Sequence, residues 1–177
     1  MIMSSWTMST AQIVGTGNCP KVNVTENFSL PRFLGTYYEV RAYPHFYTLG
    51  KSCITWNFIQ NNDSTINVVI KQRNFDVVET EVGNVSIVRP GVMLLSFPKS
   101  SVTRADANFY VLATDYNNYL VLYTCANAFF VYAQNVWILS RFSAMEEIHL
   151  ENSLNAMRAQ GLSPSYLGIT LQTCGQN

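Results

Sequence analysis

The chain has 177 residues, a formal net charge of zero at pH 7, 48% hydrophobic residues and only 12% charged residues. This length indicates one domain with a sizeable core, and the charge balance excludes a basic nucleic-acid surface and an acidic tail. A transmembrane helix needs about 18 consecutive apolar residues, and the sequence has no such run. An apolar, aromatic chain with so few charges indicates either a covered surface or an internal cavity.

The N-terminal segment, residues 1–18, is mildly apolar, but it lacks the basic start and the continuous apolar stretch of a signal peptide. We therefore expect these residues to be a leader or a disordered arm. The domain itself is expected to span residues 19–177.

Four cysteines and only two histidines are present, and no two cysteines form a C-x-x-C pair, which disfavours a metal site. Disulfides are favoured instead, although spacing alone selects none of the possible pairings. Four glycosylation sequons agree with a secreted, extracellular glycoprotein. These sequons begin at Asn23, Asn27, Asn62 and Asn84.

Beyond the first cysteine the chain is typical of a protein made of short strands. After an irregular or briefly helical lead-in at 28–34, eight segments rich in Val, Ile, Tyr, Phe and Thr alternate with turn signals. Short connections predict an antiparallel meander, which removes its edges by closing into an eight-stranded up-and-down barrel. Such a barrel leaves room for one small ligand. The predicted strands are 36–43, 53–60, 65–74, 77–88, 92–97, 108–115, 119–126 and 131–140.

The last predicted strand is apolar on both faces and ends at Arg141. Alternation with a period of two places Trp137 and Tyr132 on opposite faces, so both sides should be covered. Because a guanidinium keeps its charge when buried, Arg141 must be stacked, paired or placed at a rim.

One helix is predicted over 144–160, where apolar residues recur at mostly helical spacing and Gly161 provides a stop. Since nothing else remains to cover its apolar stripe, this C-terminal helix should pack on the outside of the barrel.

Three short motifs now carry a family resemblance. Gly35-Thr36-Tyr37-Tyr38, Thr114-Asp115-Tyr116 and Arg141 resemble, in the same order, the three motifs of the lipocalins. The segments LGTYYEVRAYP, VLATDYNNYLVLYTC and VWILSR are similar to the branch of apolipoprotein D and the insect bilin-binding proteins. One departure is Tyr37, where the family usually has Trp. Stacking on the arginine should survive this change, but the tyrosine hydroxyl then needs a partner.

The resemblance also implies a disulfide pairing, Cys19 with Cys125 and Cys53 with Cys174. It further places Tyr37 at the closed end of the barrel, and this anchor together with alternation and family alignment predicts the inward-facing, ligand-binding residues. These are Glu39, Arg41, Tyr43, Trp56, Phe58, Ile66, Val68, Ile70, Gln72, Phe109, Val111, Leu120, Leu122, Thr124, Asn135 and Trp137.

Two alternatives remain open for this lining. Trp56, Phe109 and Trp137 would serve equally as ordinary core in a barrel without a ligand. Glu39 and Arg41 could pair with each other inside the barrel, or one of them could contact a ligand carboxylate or pyrrole N–H.

The resemblance implies an extracellular carrier for a small hydrophobic ligand: a bilin pigment such as biliverdin, or a fatty acid, sterol, retinoid or carotenoid. No cofactor is required, and no enzymatic motif is present, so we expect no enzyme. The alternative is an interaction protein. Apolar loops at the open end, 126–130 and 43–47, would then serve self-association or contact with a lipid or membrane surface.

Overall fold

The computed structural model describes residues 13–44, 50–98 and 106–174. Predictions for residues 1–12 of the N-terminal segment and for His45, Phe46 and Tyr47 of the loop 43–47 lie outside these ranges. Within the described ranges no helix has the length and apolarity that crossing a membrane requires.

The eight predicted strands are all present, with bounds that differ by at most two residues from the prediction. Two short strands and a 3-10 turn are additional, and the predicted lead-in at 28–34 contains a one-turn helix. The strands are β1 (Ile13–Thr16), β2 (Gly35–Ala42), β3 (Ser52–Gln60), β4 (Ile66–Asn74), β5 (Val77–Arg89), β6 (Val92–Ser96), β7 (Ala107–Thr114), β8 (Tyr119–Ala128), β9 (Val131–Ser140) and β10 (Gly168–Ile169). The helices are α1 (Leu30–Phe33) and α2 (Glu147–Ala159), followed by a 3-10 turn at Pro164–Tyr166.

Strands β2 to β9 form an antiparallel meander in which each strand pairs with the next, and β9 pairs back onto β2. This closure confirms the predicted eight-stranded barrel. A closed barrel has no free edge, so every backbone group along its strands can find a partner within the sheet.

The wall between β2 and β3 is completed by the C-terminal segment. β2 pairs with β3 only from Gly35 to Tyr38, and further along β2 its partner on that side is β10. The Thr170 amide donates to the Val40 carbonyl at 3.0 Å, and the Cys53 amide donates to the Leu171 carbonyl at 2.8 Å. The C-terminal tail therefore lies between β2 and β3 and completes the barrel wall where these two strands separate.

The N-terminal segment adds a strand on the other side of β2, at the junction where β9 meets β2. β1 pairs antiparallel with β9, from Ile13 opposite Gln134 to Thr16 opposite Val131. The sheet therefore begins before Cys19, inside the segment that we expected to be a leader or a disordered arm. Ile13 and Val14 are the apolar residues of that segment that this strand contains.

Each added strand is held by a disulfide. Cys19 bonds to Cys125 of β8, with the two Cα atoms 5.9 Å apart, and Cys53 of β3 bonds to Cys174 with a Cα separation of 5.8 Å. This is the pairing that the resemblance implies. Because the bonds span 106 and 121 residues, each restricts the unfolded chain strongly.

Helix α2 packs outside the barrel, as predicted, although it begins three residues later than expected, after Glu146. Met157 of this helix is buried in an outer cluster together with Val121, Val136 and Ile138 of β8 and β9. The opposite faces of these strands belong to an inner cluster that fills the barrel. Both faces of β9 are thus covered, which explains why it is apolar on both sides.

Candidate functional site: the barrel interior

One end of the barrel is sealed by Arg141. Its guanidinium lies 3.7 Å from the centre of the Tyr37 ring. The same group donates to five backbone carbonyls, at 2.9 to 3.2 Å. These belong to Arg32, Phe33, Leu34, Thr36 and Tyr116. The hydrogen bonds and the cation–π contact together compensate for partial burial of the charge.

Two neighbouring residues shape this closed end. Gly35 has φ +106°, and a Cβ atom there would lie only 3.0 Å from the guanidinium of Arg141. Because glycine has no Cβ atom, it adopts this positive φ without strain and leaves room for the guanidinium. Tyr37, which replaces the usual Trp, donates its hydroxyl to the Phe33 carbonyl at 2.8 Å, so the hydroxyl has the partner that it needs.

Asp115 organises the turn between β7 and β8. Its Oδ1 atom accepts from the amides of Asn117, Asn118 and Tyr119 at 2.8 to 3.1 Å. Burial alone would raise the pKa of Asp115, but the hydrogen bonds from Asn118 and the backbone lower it overall. The turn in turn presents the Tyr116 carbonyl to Arg141.

Most of the predicted lining lies inside the barrel. The inner cluster contains Trp56, Phe58, Ile66, Val68, Phe109, Val111, Leu120, Leu122 and Trp137, with Ile70 packed against it. Gln72 and Asn135 are buried polar residues at inward positions of β4 and β9. Thr124 shares the inner face because it lies opposite Phe109 and Asn135.

Arg41 and Tyr43 are corrections to this prediction. The pairing of β2 with β9 slips between Glu39 and Arg41, which leaves Val40 as a bulge. A bulge reverses the alternation beyond it, so Arg41 lies opposite the outward-facing Ile138. Tyr43 packs in the outer cluster and donates its hydroxyl to the Ser163 carbonyl at 2.8 Å.

Glu39 is buried but does not pair with Arg41, which faces the other side of the wall. Its carboxylate accepts from the Trp56 indole at 3.2 Å and from the Thr170 hydroxyl at 2.8 Å. Gln172 donates to the carbonyls of Glu39 and Ile54. Burial raises the pKa of Glu39 to about 7, against the lowering effect of the Thr170 and Trp56 hydrogen bonds. In this structure Glu39 attaches the C-terminal tail to the barrel.

Three aromatic rings meet inside the barrel. Phe109 and Trp137 stack with their centroids 5.2 Å apart, and Trp56 lies 5.5 Å from Trp137 and 6.3 Å from Phe109. Trp56 on β3 and Phe109 on β7 are on opposite walls, so the rings span the interior. We call these three residues the aromatic floor, because any ligand between them and the far end of the barrel must rest on them or displace them.

Several inward residues were not predicted. Alternation needs one anchor for each strand, and none was available for β5 and β6. Gly83 could have supplied the anchor for β5, because a glycine inside a strand often marks a close contact with another group. In the structure a Cβ atom at Gly83 would lie 2.7 Å from the Phe97 ring. The unpredicted members of the inner cluster include Ala42, Ile54, Val85, Met93, Leu95, Phe97 and Leu139.

Polar side chains occupy the interior beyond the aromatic floor. Glu79 accepts from the Lys51 ammonium at 2.6 Å, from the Gln72 amide at 3.1 Å and from the Asn74 amide at 3.2 Å. Hydrogen bonds from Lys51 and then Asn74 lower the pKa of Glu79. Asn135 is only 4% exposed, and its Oδ1 atom has no hydrogen-bond partner. Within the described ranges no cluster of His, Cys, Asp or Glu is placed to hold a metal ion.

A closed eight-stranded barrel with an arginine seal at one end and an outer helix defines a lipocalin. The chain belongs to this family, because the model of the lipocalin-like domain matches residues 28–172. Among curated relatives, apolipoprotein D of Bos taurus is 32% identical over 130 residues, which cover 71% of this chain and 67% of that protein. Apolipoprotein D of Cavia porcellus is 31% identical with the same coverage.

Solved structures agree with this assignment. Insecticyanin from the tobacco hornworm Manduca sexta superposes with a TM-score of 0.80 at 22% identity, covering 90% of this chain and 88% of that chain. Lobster apocrustacyanin A1 gives a TM-score of 0.77 at 18% identity, covering 91% and 92%. At these identities the likeness establishes the fold alone.

Proposed function

We propose that this protein is an extracellular carrier that binds one small hydrophobic ligand inside the barrel, above the aromatic floor. The observation that carries the proposal is the unpaired Oδ1 atom of the buried Asn135, which lies inside the barrel beside the apolar inner cluster. A buried acceptor without a donor costs free energy, and a bound ligand can supply that donor. By the resemblance, the ligand is a bilin such as biliverdin, or a fatty acid, sterol, retinoid or carotenoid.

Binding is expected to be non-covalent. All four cysteines are in disulfides, so no thiol remains to form a thioether with a pigment. Affinity would come from apolar burial, worth roughly 25 cal/mol per Å². The polar groups near Asn135 would orient the ligand.

Secretion is supported by two disulfides and by the sequons. The asparagines of all four sequons, Asn23, Asn27, Asn62 and Asn84, are exposed, as glycosylation requires. The reducing cytosol would disfavour the disulfides that hold β1 and β10.

The proposal is tested on the full chain secreted from insect cells. Native mass spectrometry and an absorption spectrum of the same sample report bound mass, sugar mass and pigment together. A blue or green protein supports a bilin, and a colourless protein with an added mass supports a colourless lipid. A protein that carries no ligand and takes up neither biliverdin nor a fatty acid overturns the carrier proposal.

A second candidate function is contact with lipid or with another copy through an apolar rim. Phe129 and Phe130, in the turn between β8 and β9, are 98% and 86% exposed, and Phe75, in the turn between β4 and β5, is 89% exposed. All three lie at the end opposite Arg141. Tyr43, expected in the same patch, is instead buried on the outer wall. Size measurement with and without detergent tests this candidate: a detergent-sensitive oligomer supports it, and an unchanged monomer that also ignores vesicles overturns it.

A further inference from the structure

Glu81 points into the barrel beyond the aromatic floor. It pairs with Ile70 of β4, and two residues further along the same face of β5 lies Gly83, which contacts the inward ring of Phe97. Glu81 is partly buried. Among the residues that the structure describes, no cation pairs with its carboxylate.

Asn135 faces Glu81 across the interior. β5 and β9 are four strands apart in either direction round the barrel, so they lie on opposite walls. The paired residues that lead from Asn135 through β8, β7 and β6 end at Ile87 of β5. Ile87 lies well below Glu81, that is, nearer to the end sealed by Arg141. The path from Glu81 through β4, β3 and β2 instead reaches the end of β9 near Arg141, an equal distance below Asn135. Barrel strands tilt relative to the barrel axis, so a row of paired residues descends as it is followed round the barrel in one direction and rises in the other. The two paths miss by equal amounts in opposite senses, so Glu81 and Asn135 lie at the same height along the barrel axis.

Other polar groups at this height already have partners. Glu79 forms an ion pair with Lys51 and accepts from two side-chain amides, and both oxygens of Glu39 accept hydrogen bonds. The Thr124 hydroxyl donates to the Asn108 carbonyl at 2.8 Å, so it offers only acceptor capacity to the interior. The remaining demand is therefore for a donor, and the remaining charge, on Glu81, is negative.

We propose that the space between Glu81 and Asn135 takes the protonated amine of an apolar ligand. This inference rests on the carrier function and names the chemistry of its ligand. The ammonium group donates to the Asn135 Oδ1 atom and is attracted by the Glu81 carboxylate. A ligand carboxylate would be repelled by the Glu81 carboxylate and, having no proton to donate, could not satisfy the Asn135 Oδ1 atom.

The aromatic floor favours the same chemistry. Trp56, Phe109 and Trp137 lie one level below Asn135, and ring faces attract cations through their quadrupoles. Tryptophan is the strongest aromatic partner for such a cation. The wall therefore attracts a cation and repels an anion, and any free ring face of the floor adds to the attraction for the cation.

The test compares three probes that share one chain length: dodecylamine, dodecan-1-ol and dodecanoate at pH 7. Binding to the full chain is followed by tryptophan fluorescence, because Trp56 and Trp137 form the floor. We expect dodecylamine to bind about tenfold more tightly than dodecanoate, with the alcohol between them. Equal or tighter binding of dodecanoate, or of the alcohol relative to the amine, overturns the inference while leaving a carrier in place. Failure of dodecylamine to bind overturns the inference, and failure of all three probes and of biliverdin as well overturns the carrier function itself.

Two variants locate the effect. Glu81→Gln should weaken dodecylamine about fivefold and leave the alcohol unchanged. Asn135→Leu should weaken dodecylamine by a similar factor, because the acceptor is lost at nearly constant volume. Glu26→Gln, which removes the same charge from an exposed position outside the barrel, is the matched control and should change nothing. If the Glu81 and Glu26 variants bind dodecylamine alike, the inference is wrong, even if the Asn135 variant does not fold.

Discussion

The Thr170 hydroxyl donates a hydrogen bond of 2.8 Å to the Glu39 carboxylate, across 131 residues of sequence. This contact joins the C-terminal tail to the first strand of the barrel, where β2 and β3 have separated. Trp56, a member of the aromatic floor, donates to the same carboxylate. The tail, the barrel wall and the binding space therefore share one buried acid.

The stability of the fold should depend on the protonation of Glu39. Burial raises the pKa of Glu39 to about 7 from its usual 4.5, so the folded chain holds this proton more tightly than the unfolded chain does. The resulting stabilisation is fully present below about pH 4.5 and is lost as the pH rises through 7. Urea denaturation at pH 5 to 8 should show a loss on the order of 3 kcal/mol.

Glu39→Gln should remove most of this pH dependence, because glutamine has no proton to lose in this range. Glu147→Gln, at an exposed position of α2, should keep the wild-type slope. Equal slopes for wild type and Glu39→Gln would show that Glu39 does not control the transition.

The arginine seal should contribute strongly to stability. Arg141→Met removes five hydrogen bonds to carbonyls and the contact with the Tyr37 ring, leaving buried acceptors unpaired. We expect the free energy of unfolding to fall by about 3 to 5 kcal/mol, measured by urea denaturation. Arg141→Lys should recover only part of the loss, since one ammonium cannot reach all five carbonyls.

Arg158→Met is the control for the seal, because Arg158 makes an exposed ion pair with Glu151 on α2. Its cost should stay below about 1 kcal/mol. A similar cost for the two methionine variants would contradict the structural role of Arg141.

The disulfide between Cys53 and Cys174 should hold the tail in the seam. Replacing both cysteines by alanine should lower the free energy of unfolding by about 2 to 5 kcal/mol. It should also speed hydrogen exchange at the backbone amides of position 53 and Thr170. Replacing Cys19 and Cys125 instead should speed exchange at Gly17, whose amide donates to the Phe130 carbonyl, and leave the tail protected. Exchange that rises equally at both sites in both variants would mean that neither bridge acts locally.

The exposed rim phenylalanines should matter for association and not for folding. Phe129→Ser combined with Phe130→Ser should change the free energy of unfolding by less than about 0.5 kcal/mol, because both rings are already in water. If the rim binds lipid, this variant should lose retention on phosphatidylcholine vesicles. Phe142→Ser, which follows the arginine seal and is 60% exposed, is the control at the opposite end. If both variants lost retention on the vesicles to the same extent, the rim phenylalanines would not be the specific site of lipid contact.

The sequence by itself determined which segments become strands and on which side the helix packs. Alternation of apolar residues is a local property, so β3, β4, β8 and β9 could be read with little error. Apolar residues on both faces of β9 predicted that it is covered on both sides, and α2 provides the outer cover. A permanent charge after an apolar strand needs partners, and backbone carbonyls are the partners of Arg141 in the structure.

Only the tertiary structure decided what faces the interior beyond Glu39. The bulge at Val40 arises from how β2 pairs with β9, and it turns Arg41 and Tyr43 to the outside. The tail that satisfies Glu39 comes from the far end of the chain, and the stacking of Phe109 on Trp137 depends on the tilt that closes the barrel. These features depend on register and closure between distant segments, and alternation within one strand carries no information about either.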